Sequence, residues 1–266
     1  MPAPIPVVLD TDIGSDPDDA LALILALASP ELDLLGVTVV DGDVDLRARI
    51  AARLLGLAGR PDIPVFKGCR RPLGPGRGPT MHGHEGRGIL DHDHAGPDAP
   101  IADTPAPEWL VAAARRRPFH LVGIGPCSNL ARALQLDPDL AGRLLGFSAM
   151  GGVFDPRGFA AGWRHVFRTT GLRPAALDHN TASDPPAALI CARAGPPVTW
   201  ITAEMTFRVP LHRAAQRRLA AAGGRSRPRS TVRSPSGAMT GSTPRCRRPP
   251  GRPSCPPTAS PSCTTR

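Results

Sequence analysis

VVLDTDIGSDPDDALALILAL, residues 7–27, joins an apolar run to an apolar helical pattern through five aspartates in ten positions. Asp10, Asp12, Asp16, Asp18 and Asp19 crowd a strand-to-helix turn, and the next basic residue is Arg47. No side chain close in sequence neutralises them. Carboxylates a few ångströms apart raise one another's pKa unless a cation or hydrogen-bond donors hold them ionised, so a hard divalent metal is the economical expectation. Part of the cluster has a plainer role. Asp16 followed by Pro17, with acids in the first turn, is a helix start, and Asp16 is expected to cap it. Capping does not explain Asp10 and Asp12. They end a buried strand, and in open α/β sheets ligands bind at that edge.

Working outward, the rest of the chain alternates strand and helix patterns. LDLLGVTVV (32–40) is a second strand, LRARIAARLLGLAG (46–59) a helix closed by Gly59, and IPVF (63–66) a short strand. This β-α-β order predicts an open, mostly parallel sheet flanked by helices. Residues 67–103 interrupt the rhythm with a Gly-, Pro- and His-rich loop carrying His82, His84, His92 and His94. A loop that long suits an active-site lid better than a zinc site. Regularity resumes with a helix at PEWLVAAARRR, a strand at FHLVGIG, a helix at LARALQL and a strand at LGFSAMGG. An irregular stretch to about Ala175 follows, then a helix in LDHNTASDPPAALICARAG, a strand in VTWITA and a last helix in LHRAAQRRLAAAG.

The formal net charge of +9 comes from the end of the chain: residues 223–266 hold nine arginines and no acidic residue. That Pro-, Arg- and Ser-rich string has no apolar periodicity, so residues 1–222 are expected to form the α/β domain. Residues 223–266 are expected to be disordered, or to be the product of a shifted reading frame. They contain no aromatic residue for base stacking, which argues against specific nucleic-acid binding. No segment has the length and apolarity of a membrane span, and MPAPIPVVLD lacks a charged leader, so a cytoplasmic location is expected. The six cysteines lack any Cys-x-x-Cys spacing and are expected to be isolated thiols.

DTDIGSDPDDALAL resembles the aspartate signature of the inosine-uridine preferring nucleoside hydrolases, and later segments resemble that family in the same order. GVTVVDGDVDLRARIAARLLGLAG is similar to its second strand, ribose-contacting turn and helix, IGPCSNLA to its GPLTN-type turn, SAMGGVF to its MGG segment, and DHNTASDPPAA to its E-x-N-x-x-x-D-P segment. The resemblance implies a Rossmann-like nucleoside hydrolase fold with an incomplete C-terminal part, Ca²⁺ as cofactor, a nucleoside substrate, and a homodimer or homotetramer. It also implies roles. Asp12 would bind Ca²⁺ and take the proton from the attacking water. Asp19 and the main-chain carbonyl of Ser128 would be further metal ligands, making half of the family's shell. Asp18, Asp43, Asp178 and Asn180 would hold the substrate, and His82 in the lid would protonate the leaving base. Asp10 would support the turn.

The family's late metal-binding aspartate has no counterpart here, since no aspartate follows Asp184. An impaired or inactive family relative is therefore the alternative expectation. A metal-dependent phosphatase with a D-x-D strand end needs a later lysine, and the single lysine, Lys67, stands in the wrong context.

Overall fold

Val7, Val8 and Leu9 are all buried, and a strand that is apolar on both faces must lie inside a sheet covered on both sides. The computed structural model describes residues 2–222 apart from 94, 195 and 196, and within them that strand is central. The first half of the chain forms β1 (Ile5–Thr11), α1 (Pro17–Ala28), β2 (Leu32–Val39), α2 (Val44–Leu57), β3 (Val65–Lys67) and β4 (Ile101–Ala102). Next come α3 (Ala106–Arg116), β5 (His120–Gly123), α4 (Ser128–Leu136), α5 (Leu140–Arg143) and β6 (Gly146–Met150). The chain continues through α6 (Ala161–Thr170), α7 (Asn180–Ser183), α8 (Pro185–Ala194), β7 (Val198–Ile201), α9 (Ala203–Thr206) and α10 (Arg213–Ala222).

The sheet order is β4-β3-β2-β1-β5-β6-β7, and every pair is parallel. The expected α/β architecture is therefore present. The chain winds outward from β1 to β4, returns to place β5 beside β1, and winds outward again. Where the direction of winding reverses, the loops leaving two neighbouring strands go to opposite faces and a crevice opens at their carboxyl ends. Asp12 follows β1 directly, at that crevice.

Alternation along β1 divides the core. Val8 packs with Leu121, Phe147, Leu130 and Ala187 on the face covered by α3, α4 and α8. Val7 and Leu9 pack with Val37, Val39, Leu23 and Ile50 on the face covered by α1 and α2. Asp10, two residues after Val8, thus points its carboxylate into the α4 face.

Some details depart from the sequence expectations. Residues 161–170, expected to be irregular, form α6, whose Gly171 cap has φ +71°. None of its residues is fully buried, but Trp163, Val166 and Phe167 fall at helical spacing and are half-buried, Trp163 and Phe167 against Phe159 and Phe207, a stripe already present in the sequence. DHNTASDPPAA yields two helices rather than one, because Pro185 lacks the N–H a continuous helix needs. Residues 223–266, and with them the expected incompleteness of the C-terminal part, lie outside the described residues.

Phe147 is 1% exposed in the β5–β6 core. Phe147→Ala should lower the unfolding free energy by about 3–5 kcal/mol in urea denaturation.

Candidate active site

A cavity of about 650 Å³ opens at the carboxyl edge of the sheet. One wall is the β1–α1 turn, with Asp12, Asp16, Asp18 and Asp19. The long loop contributes Arg77, Thr80 and His82, the ends of β5 and β6 contribute Ile124 and Met150, and His179, Asn180 and Phe207 close the far side. The size suits a small organic ligand.

The turn is held from several directions. Gly14 has φ +124°, a conformation that favours glycine and lets the chain reverse between Ile13 and Ser15. Thr11 Oγ1 donates to Asp19 Oδ1 and accepts from the Ile13 N–H at 3.1 Å, which ties the end of β1 to the first turn of α1. A Cβ on Gly125 would lie 2.9 Å from both Asp12 N and Asp12 Oδ1, so glycine is what allows the segment after β5 to approach the aspartate turn.

Asp10 is the anchor of the cluster. Its Oδ1 accepts from Thr38 Oγ1 at 2.5 Å and Asn129 Nδ2 at 2.7 Å, while Asn129 Oδ1 accepts from the Cys69 N–H at 2.8 Å. This network joins β1, β2, the long loop and the start of α4. Burial pushes Asp10 up to about 7 even though Thr38 and Asn129 pull it down. Burial likewise lifts Asp12 to about 6, opposed by Arg47, and raises Asp19, with the Asp12 charge adding to the effect.

No basic residue lies close to the cluster in sequence, but Arg47, the next one along the chain, folds back to it. It is fully buried, and its guanidinium reaches back under the aspartate turn. Nε donates to Asp41 O at 2.7 Å, Nη1 donates to Asp12 O and to Ile13 O at 3.1 Å, and Nη2 lies 3.6 Å from Asp41 Oδ2. The sequence held a signal for it. Arg47 falls at helical spacing on the same face as Val44, Ala48 and Ala51, where only an apolar or a paired residue can lie. Asp41 and His179 were missed as well. Asp41 is 4% exposed with φ +70°, and His179 Nε2 stands 3.8 Å from Asp12 Oδ2.

The expected site residues separate into two groups. Asp12, Asp18, Asp19, His82 and Asn180 all line the cavity. Asn180 Nδ2 donates to Ile124 O at 2.7 Å and Met150 O at 3.1 Å, fixing the side chain across the ends of β5 and β6. Asp43, Asp178 and Ser128 do not line the cavity. Asp43 instead caps α2 by accepting from the Leu46 N–H at 3.1 Å, a competing local use for a short carboxylate. Asp178 accepts from the Thr181 N–H at 3.2 Å, and Ser128 Oγ donates to Asp184 Oδ2 at 2.6 Å. Asp16 stands at the N-cap position of α1, but its side chain makes no capping hydrogen bond. It faces the cavity instead, with Pro17 and the extended backbone starting the helix.

The His-rich segment closes over the turn as a clasp. Glu85 Oε1 accepts from the His82 N–H at 2.5 Å and from Ser15 Oγ at 3.3 Å, Glu85 Oε2 accepts from the Gly83 N–H at 2.8 Å, and His84 Nε2 is 2.8 Å from Ser15 O. Although burial opposes it, these donors hold the Glu85 carboxyl down at about 2. Lys67, the lysine considered for a phosphatase, pairs with Asp45 at 3.2 Å and does not line the cavity. Among the described residues the cysteines Cys69, Cys127 and Cys191 are free thiols, and no helix is long and apolar enough to cross a membrane.

The family model for inosine-uridine preferring nucleoside hydrolases matches residues 7–244. The chain is 33% identical over 211 residues to a probable uridine nucleosidase 2 of Arabidopsis thaliana, covering 76% of this chain and 60% of that protein. It is 34% identical over 237 residues to the pyrimidine-specific ribonucleoside hydrolase RihA of Salmonella schwarzengrund, covering 86% and 68%. Among solved structures, the plant nucleoside hydrolase PpNRh1 superposes with a TM-score of 0.59 at 29% identity, over 77% of this chain and 62% of that one. An inosine-uridine preferring nucleoside hydrolase of Bacillus anthracis has the same fold, with a TM-score of 0.63 at 21% identity over 83% and 72%. The chain spans 58–64% of the length of the first curated relatives it matches. The chain belongs to the inosine-uridine preferring nucleoside hydrolase family.

Two outcomes follow from the buried charges. Asp10 has a raised folded-state pKa, so its contribution to stability is largest below the unfolded value of 3.8 and is lost as pH rises through about 7. The stability advantage of wild type over Asp10→Asn, measured by urea denaturation, should therefore shrink by about 1–3 kcal/mol between pH 5 and pH 8. Arg47→Met should lower stability at neutral pH by about 3–5 kcal/mol, because it leaves Asp41 buried without its partner.

Proposed function

We propose that this chain hydrolyses the N-glycosidic bond of ribonucleosides to ribose and free base. The observation that supports this is the cavity wall itself: a row of aspartates faces Asn180 and, from the loop, His82 across a space of nucleoside size. Departure of the base leaves positive charge on the ribose ring in an oxocarbenium-like transition state, and carboxylates around the ring stabilise that charge.

The donor set fits Ca²⁺. Asp12 is buried and Asp19 half-buried, their surroundings push both carboxylates towards protonation, and Arg47 offsets only part of the charge. A hard dication would hold both ionised, whereas the main-chain carbonyl of Ser128, off the cavity wall, accepts from the Cys69 thiol at 3.7 Å. When bound, Ca²⁺ would polarise and position the attacking water. Asp12, on the cavity wall and held ionised by such a cation, suits the role of general base that accepts the water proton. Asp18 is exposed on the cavity wall, free to accept hydrogen bonds from the ribose hydroxyls. Asn180 keeps its Oδ1 for substrate because Nδ2 is committed to the strand ends. His82, on the cavity wall, would give a proton to the departing base nitrogen.

The direct test is release of reducing sugar from a panel of purine and pyrimidine nucleosides, run beside Ca²⁺ calorimetry on the same preparation. Bound Ca²⁺ with no ribose released from any nucleoside would overturn the activity. Asp12→Asn should lower kcat by about 10²–10⁴-fold. His82→Ala should slow natural nucleosides but leave p-nitrophenyl riboside, whose leaving group needs no proton, close to the wild-type rate. Equal slowing of both substrates would remove His82 from the acid role.

A further inference from the structure

We propose that Asp12, Asp41 and His179 form a cation site of mixed nitrogen and oxygen character, which takes a transition-series dication such as Zn²⁺ or Co²⁺ in competition with the Ca²⁺ assigned to Asp12 and Asp19. One ligand atom from each of the three residues lies within 4.8 Å of the other two. They come from separate parts of the chain: the end of β1, the β2–α2 turn and the residue before α7. A local structural role therefore does not account for their convergence.

Asp41 is a second, independent sign of a ligand. It is 4% exposed, and its Oδ2 is buried without a hydrogen-bond partner. The nearest cation, Arg47 Nη2, stands at 3.6 Å, outside hydrogen-bond range. Arg47, its ion-pair partner, therefore leaves the oxygen without a hydrogen bond, and a buried carboxylate oxygen in that state can take a further positive partner. Arg47 supplies one positive charge to a region that also holds Asp10, Asp12, Asp19 and Asp41, so room for a dication remains.

His179 decides which ion. Its Nε2 lies 3.8 Å from Asp12 Oδ2 and 3.3 Å from Ser183 Oγ, and its side chain is 34% exposed on the cavity wall. An imidazole is a poor ligand for Ca²⁺, which prefers oxygen, and a good one for Zn²⁺ or Co²⁺. Bonds of about 2.0–2.2 Å require ligand atoms roughly 3–4 Å apart, so the trio must draw together slightly, which rotation of the half-exposed imidazole allows. Three protein ligands with cavity space beyond them leave an open coordination position, as in sites that do chemistry rather than hold a fold together. Because Asp12 belongs to both sets and two dications a few ångströms apart repel, each ion weakens the binding of the other.

The test uses the full chain stripped with chelator, titrated separately with Zn²⁺, Co²⁺ and Ca²⁺ by calorimetry, with visible absorption recorded for Co²⁺. Wild type should bind Zn²⁺, show Co²⁺ bands of nitrogen ligation, and bind Ca²⁺ more weakly when Zn²⁺ is present. His179→Phe should lose about a hundredfold or more in Zn²⁺ affinity together with those bands, while keeping its Ca²⁺ affinity. Asp41→Asn should weaken Zn²⁺ in the same direction, with circular dichroism checking the fold. Zn²⁺ binding of equal strength in wild type and His179→Phe would place the ion on other thiols or histidines and overturn the site. Ca²⁺ binding without Zn²⁺ binding in wild type would overturn it too, leaving the nucleoside reaction untouched. Ribose release failing while Zn²⁺ binding persists would do the opposite.

Discussion

The mutual repulsion of carboxylates gathered at the carboxyl end of β1 is the constraint that the surrounding structure answers. Asp10, Asp12, Asp19 and Asp41 are at least partly buried within one small region. Like charges in a medium of low dielectric cannot stay ionised together without compensation. The chain supplies that compensation in layers. Thr38 and Asn129 serve Asp10, Thr11 serves Asp19, and Arg47 lies beneath Asp12 and beside Asp41. Burial still raises the proton affinities of Asp10, Asp12 and Asp19, so the compensation that the chain itself supplies is incomplete.

Sheet topology puts this cluster beside an opening. Because β5 returns to the other side of β1, the crevice lies between the Asp12 turn and the segment containing Gly125. The same reversal brings α4 under Asp10, so Asn129 can bond at once to the aspartate, to Val39 O and to the long loop. Rigid strands therefore set the aspartates, and a loop finishes the cavity. That loop is fastened where it matters: Glu85 and His84 both engage Ser15, one residue from the acidic wall. A segment rich in glycine can then carry His82 over the cavity while its root stays fixed to the turn.

Several acidic positions around the cavity turn to uses that the family resemblance does not imply. Asp43 and Asp178 spend their carboxylates on backbone N–H groups of nearby helices. Asp41 and His179 instead bring a carboxylate and an imidazole close to Asp12. The ligand chemistry beside Asp12 therefore depends on residues that face it from the β2–α2 turn and the α7 entry as much as on the aspartate run itself.

The sequence by itself determined the alternation of strands and helices, the buried central strand, the acidic turn at its end, the long loop and the family. These are local matters: apolar spacing, glycine and proline positions and a dense run of one residue type are all visible over a few neighbours. Asp12, Asp18, Asp19, His82 and Asn180 could be placed at the cavity from motif alone. Only the tertiary structure decided which distant side chains answer the aspartates. Arg47 is 35 residues from Asp12 in sequence, and Asn129 is 119 from Asp10, yet both are within hydrogen-bond reach because parallel crossovers return each helix to the same sheet edge. The choice between a carboxylate that caps a helix, as Asp43 does, and one that turns into the site, as Asp41 does, depends on backbone angles two residues apart. No one-dimensional pattern carries that information.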